Sequence, residues 1–550
     1  MAGSGSGPKR PKAQSKRDLL GLVLAAGFLF FFGLGERDLW RPNEPIYGRA
    51  VAEMAASGDW MKPTVNGEVF SEKPILYFWA ALTTSKLLGG VSELSLRVPS
   101  AIAGVASVVL TYLWVLPYGG RRRAIFTAAL FATMYQVFWA ARSVQMDVLV
   151  LASTLGVVVP LARLIDADAR PARAWIAAGL AGGLGFIAKG PVALIVPALV
   201  VIGYAMWRRR LHSLLHPVAL AGLLVAFVVA TPWYVLLWLA GETTLLHELL
   251  FRQNVARFLD AWDHEQPWWY YLEYFWIDFA PWSWLVPAAL LSVSASSEGR
   301  RLDRFCWIWI GVVVVFFSLS DSKRSPYILP IAPAVACLSA GVLERYIGRS
   351  TGRPARLMVG FALSALGLVL VAAGAAGLSR WSEVPSDLTP IATVLVVLVV
   401  STGALVMVGV ALARRFPSMA PAALLAGLTV SYLVTAGWAL TAADRWKSVR
   451  GFALEMNQTI AANEGAVVSY GFRRWRSMYS FYADRSISNL KEGPDLVEFC
   501  RDWSAPYLLV EEPLDAEVSA LCPGARLVHR GPAGRAQAFL YARPESGSPR

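Results

Sequence analysis

The feature that most constrains this chain is the recurrence of long, nearly uncharged apolar runs along most of its length. After a first run at 19–35 they fall at roughly 74–90, 97–117, 124–141, 146–165, 174–188, 191–207, 217–239, 271–296, 305–319, 326–346, 357–378, 389–413 and 420–441. Most are within the roughly 17 to 25 residues that carry a helix across a hydrocarbon core. Such a chain is a polytopic α-helical membrane protein. With 56% hydrophobic and 16% charged residues it is not intrinsically disordered, and four cysteines in 550 residues cannot staple a secreted fold.

The positive charges give the runs their sides. A net charge of +13 could suggest nucleic acid, but the basic residues sit in short clusters between apolar runs, as in cytoplasmic loops, so no nucleic-acid partner is expected. Lys9, Arg10, Lys12, Lys16 and Arg17 lie in a tail, 1–18, that precedes the first run without a convincing signal-cleavage site, which puts the N-terminus in the cytoplasm. If all fourteen runs crossed, Arg121-Arg122-Arg123 and Arg208-Arg209-Arg210 would lie outside. Omitting 74–90, which carries Thr83, Thr84, Ser85 and Lys86, returns every later Arg cluster to the cytoplasm and leaves about 13 transmembrane helices. That segment then reads as a helix lying along the outer surface.

The transmembrane domain is expected over 19–441, with a first outer loop at 36–96 and a long outer loop at 240–270. The odd count places 442–550 outside as a small soluble α/β domain. Val449 to Asn463 has helical spacing, and Ala466–Tyr470, Tyr507–Val510 and Ala538–Ala542 are short β-like runs. Cys500 and Cys522 lie in this exported part and could pair, whereas Cys306 and Cys337 sit in helices as small core residues.

Three outer loops share one arrangement: Lys73 precedes Pro74, Lys189 precedes Gly190-Pro191, and Lys323-Arg324 precede Ser325-Pro326. Each Pro suits the first position of a helix, where unpaired N–H groups and the positive dipole end favour an anion. A snorkelling Lys at a membrane boundary is the bland alternative for any one of them. Three together on the face that should be poor in cations point to phosphate. Two acids fall on the same side, Glu44 in the first outer loop and Asp147 at the start of a later run, where pairing with Arg142 is the structural alternative. In the 240–270 loop, Trp268-Trp269-Tyr270 reads as interfacial belt or sugar-stacking surface. His264 with Glu72 could ligate a divalent ion, although no fixed ligand spacing is present.

Asn43-Glu44-Pro45-Ile46-Tyr47, Ala56-Ser57-Gly58-Asp59-Trp60, Glu72-Lys73-Pro74-Ile75-Leu76-Tyr77, Met146-Asp147, Ala188-Lys189-Gly190-Pro191, Gln266-Pro267-Trp268-Trp269-Tyr270-Tyr271, Pro281-Trp282-Ser283 and Ser322-Lys323-Arg324-Ser325-Pro326-Tyr327 follow one another in an order that resembles the ArnT-like glycosyltransferases. These are relatives of the lipid A aminoarabinose transferase and, more distantly, of the protein O-mannosyltransferases. The resemblance covers about 15–445 well and the tail loosely.

It implies a C-type membrane glycosyltransferase fold in the bacterial inner membrane, among membrane lipids, with a polyprenyl-phosphate-linked sugar donor and a lipid or glycan acceptor on the periplasmic side. Lys73 and Lys189 would hold the donor phosphate, with Tyr47, Lys323, Arg324 and Tyr327 as further substrate-binding candidates. Glu72 and a His of the 240–270 loop, His264 here, would lie beside it with room for a divalent metal ion; no other cofactor is required. Relatives carry Asp-Glu where this chain has Asn43-Glu44, and Asn43 can bind a hydroxyl but cannot accept its proton. Either Glu44 or Asp147 is therefore expected to take over, with Asn43 beside them, or the acceptor needs no base, or the chain uses different chemistry. The alternatives are a protein O-mannosyltransferase-like enzyme and a non-enzymatic lipid or solute transporter. A transporter would show ionisable residues near the bilayer midplane, and the spans are nearly free of them.

Overall fold

The computed structural model describes residues 12–166, 169–256, 264–460, 465–472 and 476–544. They form two compact units, a larger one of Met1–Phe32, Ser100–Arg142 and Met146–Thr435, and a smaller one of Gly33–Pro99, Ser143–Gln145 and Ala436–Arg550. Residues 1–11 of the N-terminal tail, and Arg257 and Asp263 of the long loop, lie outside the described residues.

The larger unit is built from the apolar runs. They become the helices Asp147–Ile165, Pro171–Lys189, Val192–Trp207, Ser297–Ser318, Arg353–Ser379 and Thr389–Ala411, among others. Small residues let them approach closely: a Cβ on Gly179 would stand 2.1 Å from the Gly222 carbonyl oxygen, so helix Pro171–Lys189 meets helix Ala219–Ala230 backbone to backbone. Among the described residues seven helices are long and apolar enough to cross a membrane, or eight if Ala219–Ala230 and Pro232–Leu239, bent by 44°, count as one. Helix length alone therefore does not reproduce thirteen crossings. Several runs are broken into short pieces, such as Tyr270–Asp278 and Val286–Leu291. Conversely, Glu93–Ala132 turns a corner at Gly120, with φ 73°, just before the Arg121–Arg123 cluster.

The run at 74–90 yields only helix Leu76–Leu87. Its 12 residues extend about 18 Å, short of the ~30 Å hydrocarbon core. Tyr77, Phe78, Ala81 and Leu82 are buried, and the helix belongs to the smaller unit.

The tail supplies that unit with a five-stranded sheet in the order β4-β3-β5-β7-β6. Its strands are β3 Val467–Tyr470, β4 Ile487–Leu490, β5 Tyr507–Glu511, β6 Arg526–Ala533 and β7 Ala536–Ala542. Strands β4, β3 and β5 run parallel, and β7 and β6 are antiparallel additions. Helix Arg450–Thr459 packs Phe452, Ala453 and Met456 into the core beneath the sheet. Cys500 and Cys522 form a disulfide, and Cys306 and Cys337 are buried free thiols.

The tail does not stand alone. Residues 33–99 complete the unit: Arg49 donates to the Ser480 carbonyl at 3.0 Å, and the Asn66 side chain accepts the Ile487 N–H at 3.1 Å. Asn66 and Gly67, both at positive φ, close the hairpin of β1 Thr64–Val65 and β2 Glu68–Val69, the backbone that an Asn-Gly turn favours.

Candidate functional site

In the smaller unit the Asn43-Glu44 motif opens helix Glu44–Ser57, with Pro45 in its first turn and Asn43, half-buried, as the residue before it. Glu44 is 5% exposed. One carboxylate oxygen accepts from Arg37 Nη2 at 3.0 Å, Arg97 Nε at 3.0 Å and the Val144 N–H at 2.9 Å. The other accepts from Arg37 Nη1 at 2.6 Å, Arg97 Nη2 at 3.1 Å and the Trp40 N–H at 3.2 Å. Burial pushes the carboxyl pKa up, but the Arg37 and Arg97 guanidinium groups more than offset it and hold it well below the usual carboxylate range. A carboxylate so satisfied and so acidic is not a general base. Glu44, expected as a possible base, here fastens residues 37, 40, 97 and 144 around the start of the helix.

Tyr47 is buried one turn on, edge-on to Phe70 at 6.0 Å and Phe78 at 5.9 Å between ring centres, so its ring belongs to the packing. Glu72 and Lys73 are half-buried in the turn before helix Leu76–Leu87, which starts two residues beyond Pro74 rather than on it.

The larger unit gathers the other candidates around a short 3-10 helix, Ser325–Ile331. Lys189, the last residue of its helix, donates to the Asp147 carboxylate and lies 4.7 Å from the centre of the Tyr327 ring. An ion pair and a cation–π contact thus fix one ammonium. Arg142, the alternative partner for Asp147, instead donates to the Phe30 carbonyl at 2.9 Å. Gly190, at φ 81°, lets Asn254 of the long loop approach: a Cβ there would stand 3.0 Å from Asn254 Oδ1. Half-buried Arg324 leads into the 3-10 helix, and its side chain makes no ion pair or hydrogen bond among the described residues.

Lys323 does otherwise. It is 4% exposed, and its ammonium donates to the carbonyls of Gln266 at 2.8 Å and Ser320 at 2.5 Å, while its backbone N–H donates to His264 at 3.0 Å. Lys323, expected among the substrate-binding residues, is here an ammonium buried on carbonyls, a clip between 264–266 and 320–323. His264 itself is exposed, at φ 57°. It and Glu72 belong to different units, and no group of three or more His, Cys, Asp or Glu among the described residues is arranged to hold a metal.

Sequence reasoning missed Arg37 and Arg97, and also Asp278 with Gln136. Ser325 Oγ donates to Asp278 Oδ1 at 2.8 Å and accepts from Gln136 Nε2 at 2.9 Å. Asp278 is 3% exposed and its second oxygen has no partner among the described residues. The available signal was an acid inside the apolar run 271–296, deeper in it than Glu273, which by default is a functional candidate in a membrane chain.

Residues 72–238 match the family described as dolichyl-phosphate-mannose-protein mannosyltransferase. Undecaprenyl phosphate-alpha-4-amino-4-deoxy-L-arabinose arabinosyl transferase 1 of Pseudomonas fluorescens strain Pf-5 is 32% identical over 329 residues, 58% of this chain and 59% of that one. The corresponding transferase of Pseudomonas aeruginosa strain UCBPP-PA14 is 32% identical over 366 residues, 64% of each chain. The chain thus spans less than two thirds of the length of the curated relatives it matches. Crystalline ArnT from Cupriavidus metallidurans, bound to undecaprenyl phosphate, matches with a TM-score of 0.75 at 20% identity, covering 96% of this chain and 98% of that one. The fold is accordingly the C-type membrane glycosyltransferase fold, here with a small C-terminal sheet domain. The chain is thus similar to ArnT in fold over nearly its whole length, and in sequence to the arabinosyl transferases over about three fifths of it.

Proposed function

We propose that the chain is a polyprenyl-phosphate-sugar-dependent glycosyltransferase of the bacterial inner membrane. It moves the sugar to a lipid A-like glycolipid or another envelope acceptor on the periplasmic side. With that reading go thirteen crossings, a cytoplasmic N-terminus and a periplasmic 442–550 region. The observation that carries it is the Lys189 ammonium, held between Asp147 and the Tyr327 ring, on the same short helix that Arg324 introduces. A fixed ammonium, with a second cation in the segment that leads into the helix carrying Tyr327, suits a phosphate that gains charge as it leaves. Lys73 is proposed for the donor phosphate from its motif alone. The names of the relatives make undecaprenyl-phosphate-linked 4-amino-4-deoxy-L-arabinose the first donor to test.

The reaction is a displacement at the anomeric carbon. The bond from that carbon to the donor phosphate oxygen breaks, the electron pair leaves with the polyprenyl phosphate, and an acceptor oxygen bonds to the carbon. Lys189 and Arg324 stabilise the leaving charge. Of the acids expected to act as base, Glu44 is saturated with donors and Asp147 is paired with Lys189, while residue 43 is Asn; Asp278, with one oxygen unpartnered among the described residues, is the acid left to take a proton should a hydroxyl acceptor need it. An acceptor that arrives ionised, such as a sugar phosphate, requires no base, and this favours a phosphorylated glycolipid over a protein hydroxyl.

Mass spectrometry of the envelope glycolipids and proteins from cells with and without the chain tests this. Loss of a sugar mass from a glycolipid is the expected result. Loss from proteins alone would shift the reading to protein O-glycosylation. Unchanged envelopes, with no release of polyprenyl phosphate from the donor by the purified protein, would overturn it.

A further inference from the structure

The smaller unit holds a cavity of about 470 Å³, within the size range of small-molecule sites. It lies at the carboxyl ends of parallel strands. Asn489 and Lys491 belong to the end of β4, and Arg476 and Ser477 open the helix that leads from β3 to β4. Strand β3 has β4 on one side and β5 on the other, so the chain leaves β3 in one direction and then returns past it. The cavity is lined from the β3–β4 side rather than at the switch point between β3 and β5, and what it shares with ligand sites of open α/β sheets is its place outside the carboxyl ends of parallel strands. The opposite wall comes from the hairpin β1–β2 and the segment after it, including Phe70 and Glu72.

The walls combine what a sugar ring needs. Arg476 and Lys491 donate, Glu72 accepts, and Asn489 and Ser477 have groups that can serve hydroxyls. Phe70, with the neighbouring aliphatic side chains, offers an apolar surface to the C–H face of a ring. Arg476 pairs with Glu68 at 3.2 Å, and the remaining charges are mixed in sign, so no strong single-sign field selects a bare anion. Two of the lining residues, Ile46 and Glu72, are chain neighbours of Tyr47 and Lys73. A ring held here therefore lies beside the motif proposed for the donor phosphate.

We infer that this cavity binds a saccharide ring of the acceptor headgroup. The inference rests on the glycosyltransferase reading above and adds the acceptor's recognition site. Two measurements on the full-length protein in nanodiscs test it. The first is saturation-transfer NMR with a soluble hexosamine disaccharide as probe; the second is the KM of a purified lipid A acceptor at saturating donor. Ser71→Trp, which fills the cavity from the hairpin side, should weaken the NMR signal and raise the acceptor KM at least about tenfold, with donor KM within about twofold.

Lys491→Gln provides a second variant, because Lys491 is exposed and makes no ion pair among the described residues; it should raise the acceptor KM by about threefold with the melting temperature unchanged. The inference is overturned if the wild-type protein gives no disaccharide signal, if both folded variants keep the wild-type acceptor KM, or if donor KM rises in place of acceptor KM. A wild-type protein that binds the disaccharide and transfers no sugar from a polyprenyl-phosphate donor would refute the glycosyltransferase reading and leave the saccharide cavity standing.

Discussion

Glu44→Gln separates a base from a structural anchor. The native carboxylate accepts six hydrogen bonds, four from two guanidinium groups and two from backbone N–H groups. Glutamine keeps one acceptor oxygen, turns an amide NH2 toward groups that themselves donate, and strips two buried arginines of their counter-charge. Removing one partner of a buried ion pair costs about 3–5 kcal/mol. At roughly 2–4 °C per kcal/mol for a unit of this size, the transition that reports the smaller unit should fall by about 6–20 °C. The pH dependence has a fixed sign. Because the folded pKa lies below the ordinary value of 4.5, the carboxylate's contribution is complete above that pH and drains away as pH falls through the folded value. The gap between wild type and variant should therefore be constant from about pH 8 to 5 and narrow at more acid pH. Thermal unfolding of the full chain across pH, followed by tryptophan fluorescence, measures the gap, and transfer assayed well below the variant's melting temperature completes the test. A variant with the wild-type melting temperature that loses transfer, together with a carboxylate limb in the wild-type pH profile that the variant's residual activity lacks, would refute the anchor role and restore Glu44 as base.

Lys189→Ala should lower transfer by about a hundredfold or more, since it removes the cation nearest the proposed leaving phosphate, and single-turnover kinetics would register the loss in the chemical step. Asp147→Asn should cost less, because the ammonium keeps its place over Tyr327; an equal loss would give Asp147 a chemical role of its own. Lys323→Met should lower the melting temperature of the larger unit, by about 2–4 kcal/mol of stability for the carbonyls left unpaired, while the folded fraction keeps its donor KM; a raised donor KM would return Lys323 to the substrate site. Asn43→Asp should not raise transfer to a phosphorylated acceptor, because the new carboxylate repels a like charge, so a gain with a carboxylate-like pH profile would point to a hydroxyl acceptor instead.

Much of the architecture was legible because helix periods and side preferences are local properties. The runs at 146–165, 174–188 and 389–413 match helices Asp147–Ile165, Pro171–Lys189 and Thr389–Ala411, and the β-like runs at Tyr507–Val510 and Ala538–Ala542 match β5 and β7. The site was legible only where function coincided with a local motif. Asp147, Lys189 and Tyr327 were each visible as residues at helix starts, yet their meeting depends on three segments far apart in the chain. Arg97 was hidden for the opposite reason: it opens a long apolar helix and so reads as a boundary charge, while its partner Glu44 lies 53 positions earlier.

Lys189 and Lys323 show why the same pattern can serve two ends. Each is a lysine just before a proline-led helix, and neither propensity nor the macrodipole distinguishes them. What differs is the chain around them. The loop before Lys323 pairs with residues 264–266, through the Glu265 and Ser322 bridge and the Gln266 N–H to Asp321 carbonyl bond, and this brings bare carbonyls to the ammonium. Two backbone carbonyls take two of the three Lys323 donors, and burial keeps an anion away from the third. Around Lys189 the nearest groups are a carboxylate and an aromatic face, which orient the ammonium but use only part of its three donors. A partly exposed lysine with donors unspent over Tyr327 can meet a phosphate; a lysine buried on backbone carbonyls holds the loop in place, and that difference lies in tertiary contacts that no window of sequence contains.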